Sequence, residues 1–219
     1  MRRLLVTALI MLGYGQAYAT PSTEMVLRIF PSVVQIHVED KNGEHGLGSG
    51  IVVSPDHIAT NCHVIANARG VIAAQGEDHY APVALKADWH HDLCILKFEG
   101  LPLKAAILGE SENLRDEQSA LSLGHSNGSV APLVSFGKIK ALYALDGSRI
   151  IRTSAPFRMG ASGSAMFDEE GKLIGINTFK SPGRNGFFYA LPVEWVKKTA
   201  WRPRDFGNLS QGSALLGRT

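Results

Sequence analysis

Between residues 33 and 177 the chain is cut into short apolar and β-branched runs, too brief for helices of several turns. Residues 33–38, 50–54, 95–98, 120–123, 135–139 and 173–177 form such runs. Gly, Pro, Asn and Asp punctuate them at intervals of about ten residues, the pattern of all-β sandwiches and barrels. Helical periodicity is confined to 193–201, with a short N-terminal turn at 22–30. The connection at 100–117 lacks the strand pattern and divides the runs into two groups. The fold class expected is therefore all-β.

Residues 1–19 read as a secretory signal peptide. Arg2 and Arg3 give the positive start, residues 4–12 an apolar run, and Ala17-Tyr18-Ala19 a small-residue cleavage site. The run is shorter than the ~20 apolar residues that a spanning helix needs, so no stable membrane span is expected after cleavage. Cleavage removes two arginines and no acid, which takes the formal net charge from +2 to 0. No basic stripe remains to track phosphates, and this excludes nucleic acid as the main partner. About 200 residues are left, enough for one domain with a sizeable core, expected over 20–201. Residues 202–219 lose periodicity and read as a loose tail, with a docking segment as the alternative. The expected location is periplasmic or secreted.

Three segments carry the chemistry: Thr60-Asn61-Cys62-His63-Val64, Asp92-Leu93-Cys94-Ile95-Leu96-Lys97 and Gly160-Ala161-Ser162-Gly163-Ser164. They present a base, a carboxylate and a nucleophile in the order His, Asp, Ser. A serine hydroxyl is a weak nucleophile until a base accepts its proton. Imidazole exchanges protons near neutral pH, and a carboxylate behind it fixes its tautomer. Chain order matters because the same geometry occurs on unrelated folds in different orders. Subtilisin-like enzymes run Asp, His, Ser, and α/β-hydrolases run Ser, Asp, His. The elbow of the latter also needs a glycine two places after the serine, where Ser164 stands.

With Pro31-Ser32-Val33-Val34, Gly48-Ser49-Gly50-Ile51-Val52-Val53-Ser54-Pro55, Ile151-Arg152-Thr153 and Leu173-Ile174-Gly175-Ile176-Asn177-Thr178, these segments resemble the trypsin-like serine proteases. Within them the resemblance is to the HtrA/Deg group and covers residues 31–197. It implies two six-stranded antiparallel β-barrels, split near 100–117, with the active site in the cleft between them and a short C-terminal helix. It implies Ser162 as nucleophile, His63 as general base and Asp92 as its orienting carboxylate. The N–H groups of Gly160 and Ser162 would form the oxyanion hole. The expected function is a serine endopeptidase that cleaves unfolded or extended polypeptide through an acyl-enzyme, without metal or organic cofactor. HtrA relatives usually carry a PDZ domain after the protease; a protease domain without one is expected here. Family members often trimerise through N-terminal segments, which leaves a homo-oligomer through residues 22–30 open.

The serine loop departs from the family pattern at Ala161, Ser164 and Ala165, which replace Asn or Asp, Gly and Pro. A positive φ at Ser164 would strain a non-glycine residue. Ala161 cannot make the ion pair with a new N-terminus that digestive relatives use, so activation by propeptide removal is not expected. These departures support the rival reading, a catalytically silent protein that grips peptides by strand addition.

By the resemblance, the substrate pocket would use Pro156, Phe157, Thr178, Phe179, Lys180 and Phe187. No acid lies in these stretches, which disfavours a Lys or Arg preference and favours an apolar side chain. The aromatics also fit a plain barrel core, and both readings stay open. Cys62 and Cys94 flank His63 and Asp92; a disulfide and two buried thiols both stay open. His90-His91 beside Asp92 would point to opposite faces of a strand, so no metal site is expected there.

Overall fold

A computed structural model describes residues 21–126, 128–180, 186–200 and 207–208. Residues 1–19, read from the sequence as a signal peptide, lie outside these residues, as does most of 202–219. Seven strands precede the mid-chain connection: β1 (Val33–Asp40), β2 (His45–Ser54), β3 (His57–Asn61), β4 (Ala68–Gln75), β5 (Asp78–Tyr80), β6 (Ala84–Asp88) and β7 (Leu93–Lys97). Six follow it before the last helix: β8 (Ser119–Gly124), β9 (Leu133–Leu145), β10 (Ser148–Thr153), β11 (Ala165–Asp168), β12 (Leu173–Lys180) and β13 (Phe188–Pro192). The helices are α1 (Thr23–Ile29), the single turn α2 (Cys62–Ile65) and α3 (Val193–Ala200). Among the described residues, no helix is long and apolar enough to cross a membrane.

The second group closes into a six-stranded antiparallel barrel in the order β10-β13-β12-β11-β8-β9. The first group departs from the expected second closed barrel. With a two-residue strand β14 (Gly207–Asn208) it forms an eight-stranded sheet in the order β14-β6-β7-β3-β2-β1-β4-β5. β4 and β6, which would have to pair for closure, are covered along their outer edges by β5 and β14. The added strands occupy the edge N–H and C=O groups that closure would otherwise occupy. β14 also places part of the segment read as a loose tail on a sheet edge, with Gly207 opposite Leu85 and Asn208 opposite Ala84.

Alternation along the strands assigns each face to a different core. Ile58, Cys94 and Leu96 fill the interior of the first sheet with Val34, Ile36 and Phe98. Their neighbours Ala59, Leu93 and Ile95 face the second barrel and meet Leu121, Leu123, Phe167 and Ile176. A third cluster around Ile139, Ile151, Met166 and Ile174 fills the closed barrel. The two halves thus share an apolar seam, and the connection between them is stitched to both. Ala106 N–H donates to Val52 O, and Gly109 N–H to Leu173 O, each at 2.8 Å.

Residues 22–30 do form a helix, capped by the Ser22 hydroxyl, which accepts from Met25 N–H at 3.1 Å. α1 docks on its own chain: Met25 and Ile29 are buried in the inter-barrel core, and Arg28 Nη2 donates to Glu170 O at 2.7 Å. What matters most for the site is the β3–β7 register, which sets Thr60 opposite Cys94 and Asn61 opposite Leu93. One step beyond this pairing, α2 starts on one strand and Asp92 ends the turn before the other. Cys62 and Cys94 are joined by a disulfide across this junction, with Cα atoms 4.9 Å apart.

Candidate active site

Asp92 sits at φ +56°, a left-handed conformation that aspartate tolerates better than most residues. Its carbonyl accepts from Asn61 Nδ2 at 3.0 Å and from Cys62 N–H at 3.2 Å. The carboxylate is thereby aimed at α2. Oδ1 accepts His63 N–H at 2.9 Å, and Oδ2 lies 2.7 Å from His63 Nδ1. A carboxylate can only accept, so Nδ1 carries the proton and Nε2 is left with a lone pair facing outward. The His63 side chain is half exposed and that of Asp92 less so, at 50% and 30%. The imidazole is therefore open to a ligand, and the carboxylate is more sheltered.

Ser162 lies in the loop between β10 and β11. Its Oγ donates to Thr178 O at 3.3 Å, and among the described residues no hydrogen bond joins it to His63. Thr178, read from the sequence as a pocket residue, donates its hydroxyl to Asp92 Oδ2 at 2.8 Å. Thr178 therefore touches both Asp92 and Ser162.

The loop is held from the other half of the molecule. Ser49 N–H donates to Ser162 O at 2.9 Å, and Ser49 Oγ donates to Gly160 O at 2.9 Å. Thr60 Oγ1 donates to Ser49 O at 2.7 Å, and Asn61 Oδ1 accepts Gly163 N–H at 2.6 Å. Gly163 has φ +81°, and a Cβ there would stand 2.2 Å from Ser49 O. No side chain fits. Gly160 has φ +88°, and among the described residues no acceptor meets the N–H of Gly160 or of Ser162. These are the two N–H groups expected from the sequence to face an oxyanion.

The strain considered for Ser164 does not arise, because the left-handed position falls on Gly163 and Ser164 has a negative φ. Its buried hydroxyl accepts from Asn177 Nδ2 at 2.8 Å. Room for it comes from Gly124, where a Cβ would lie 2.1 Å from Ser164 Cβ.

Beside the serine loop lies a cavity of about 210 Å³ lined by Leu133, Val134, Pro156, Phe157, Arg158 and Ala161, with Ser122, Ser126 and Ser135 on its polar side. Pro156 and Phe157, expected from the sequence in the substrate pocket, line this cavity. Phe179 and Phe187 do not line this cavity. Phe179 is exposed and stacked on Tyr189, and Phe187 lies under the Arg152 guanidinium. Lys180 ends β12 opposite Phe188. Sequence reasoning missed Leu133 and Ser135, which come from β9, far from the serine loop in the chain. It also missed Ser49, Thr60 and Asn61. Their readable signal is polarity inside a buried strand, since a buried polar side chain must find a partner.

His90 and His91 correct another expectation. They lie in the turn 89–92, not on a strand, and Asp92 N–H closes that turn on Trp89 O at 3.4 Å. In a turn, successive side chains need not face opposite ways. Both rings reach Asp146.

The model of the trypsin-like peptidase domain matches residues 48–176. A probable periplasmic serine endoprotease, DegP-like, of Halomonas elongata is 29% identical over 191 residues, covering 83% of this chain and 40% of that protein. The protein of the same description from Rickettsia prowazekii is 31% identical over 179 residues, covering 76% of this chain and 35% of that one. The chain thus spans well under half the length of these curated relatives. Among solved structures, the HtrA-type protease AlgW with tripeptide matches with a TM-score of 0.70 and 32% identity, over 80% of this chain and 60% of that one. A serine endoprotease from Yersinia pestis matches with a TM-score of 0.72 and 27% identity, over 82% and 66%. The chain belongs to the trypsin-like peptidase family and is homologous to the DegP/HtrA serine proteases.

Proposed function

We propose that the chain is a periplasmic or secreted serine endopeptidase, exported by residues 1–19, that hydrolyses unfolded or extended polypeptides. The observation that carries the reading is the His63–Asp92 couple, whose acid is bonded to Thr178 while Thr178 O receives the Ser162 hydroxyl. In the reaction, Ser162 Oγ turns from Thr178 O toward His63 and attacks the scissile carbonyl carbon. Its proton passes to His63 Nε2, and the oxyanion is met by the N–H groups of Gly160 and Ser162. Asp92 stabilises the imidazolium. The carbon–nitrogen bond breaks as His63 returns the proton to the leaving amine, and water then releases the acyl group by the same steps.

The cavity beside Ser162 has no carboxylate among its lining residues. This favours an apolar side chain before the scissile bond over Lys or Arg. AlgW was solved with a tripeptide and with a decapeptide, which favours extended peptide as the ligand. The test is turnover of unfolded casein, with products identified by mass. Cleavage by the wild type and none by Ser162→Ala is expected. A well-folded wild type that leaves casein intact would overturn the reading.

A further inference from the structure

Away from Ser162, one group of donor atoms converges from both halves of the molecule. The turn 89–92 supplies His90 and His91, and the β9–β10 turn supplies Asp146. Asp146 Oδ2 lies 2.9 Å from His90 Nε2 and 3.0 Å from His91 Nε2. One donor atom from each residue falls within 4.8 Å of the others. We propose that His90, His91 and Asp146 form a zinc site that clamps the first sheet to the closed barrel.

The ligand chemistry selects the ion. Two imidazole nitrogens and one carboxylate oxygen are a donor set for zinc, whereas calcium and magnesium take oxygen ligands. A tetrahedral zinc with bonds of about 2.0–2.1 Å holds its ligand atoms roughly 3.3 Å apart. The pairs on Asp146 are within a few tenths of an ångström of that spacing. The two imidazole nitrogens lie within 4.8 Å of each other, and rotation of the exposed His90 ring closes that gap. His90 and Asp146 have side chains 77% and 45% exposed, which leaves a path in and lets water complete the coordination.

The surroundings of His91 are those of a built site. Asp88 Oδ2 lies 2.6 Å from His91 Nδ1, and Asp88 Oδ1 accepts His91 N–H at 3.2 Å. A carboxylate behind a ligating imidazole fixes its tautomer and turns the other nitrogen toward the ion. The opposite constraint comes from Trp195, whose ring centroid is 4.0 Å from that of His91. The histidine is therefore oriented before any ion arrives. His91 directly precedes Asp92, so zinc here fixes the turn that carries Asp92 against the β9–β10 turn of the other half.

The experiment is zinc titration of untagged, metal-stripped protein by calorimetry, with thermal unfolding measured alongside. The expected result is one zinc per chain and a rise in Tm with zinc that magnesium does not reproduce. His90→Ala removes an exposed ligand. Asp146→Asn removes another and keeps a residue that tolerates the φ of +46° at this position. Each should weaken zinc binding at least tenfold while leaving the zinc-free Tm near that of wild type. Asp88→Asn should weaken it about 10- to 100-fold through His91. His63→Ala should bind as wild type does. Absence of zinc uptake by folded wild type, uptake undiminished in both ligand variants, or uptake abolished only by His63→Ala would overturn the assignment.

Discussion

Thr178 donates its hydroxyl to Asp92 Oδ2 at 2.8 Å, and the same oxygen lies 2.7 Å from His63 Nδ1. The donated bond helps to hold the carboxylate in the plane where it can orient the imidazole. Thr178→Val keeps the shape and removes the donor. A hydrogen bond to a charged group is worth about 1.5–3 kcal/mol, so kcat/KM on a peptide substrate should fall roughly 10- to 100-fold. The Tm should stay close to that of wild type; an unchanged kcat/KM would show that Asp92 needs no third partner.

Gly124 and Ser164 are neighbours where β8 meets β11, and the missing side chain of one makes room for the other. Gly124→Ala would drive a methyl to 2.1 Å from Ser164 Cβ and should cost about 1–3 kcal/mol, as overpacking does. Ser164→Gly opens that space but gives up the bond with Asn177. Urea unfolding of the two single variants and the double should therefore give a favourable coupling, with the double variant more stable than additivity predicts.

The Cys62–Cys94 bridge closes a segment with a separation of 32 residues, directly beside His63 and Asp92. Constraining the unfolded chain over such a loop is worth about 2–4 kcal/mol. Cys62→Ser with Cys94→Ser should lose that much in urea unfolding, and a reductant should lower the stability of wild type toward the double variant without affecting the variant.

His125 links this stability to pH. Burial holds its imidazole below the ordinary value of 6.5; a bond to Ser129 O opposes the shift, and nearby His37 adds to it. A depressed pKa in the folded state means stability that is complete above about 6.5 and lost as pH falls through the folded value. His125→Asn gives up the neutral ring and does not titrate. The Tm gap between wild type and this variant should narrow from pH 7.5 to pH 5.0, and a gap constant with pH would contradict the burial argument.

Much of the site was legible because its parts are contiguous. His63, Asp92, Ser162 and Gly160 each stand in a short segment whose residue types announce their chemistry, and the structure brings the first two into contact. The bond from Thr178 to Asp92 was not legible, because a side chain on β12 can face either of two ways and only the fold decides which. The closure of the first sheet was overestimated since nothing in residues 78–80 or 207–208 announces a pairing that caps β4 and β6. His90 and His91 were judged by strand alternation, yet a turn holds them, and Asp146 joins them from more than fifty residues away. Long-range partners of this kind carry no local periodicity to read.

The central claim is that Ser162 is an activated nucleophile, and active-site labelling with a fluorophosphonate tests it most directly. Intact mass should show one probe added to the wild-type protein and none to Ser162→Ala, with His63→Ala strongly slowed. Folded wild type that takes up no probe, even with unfolded casein present, would contradict the claim and leave a peptide-binding protein on a protease fold.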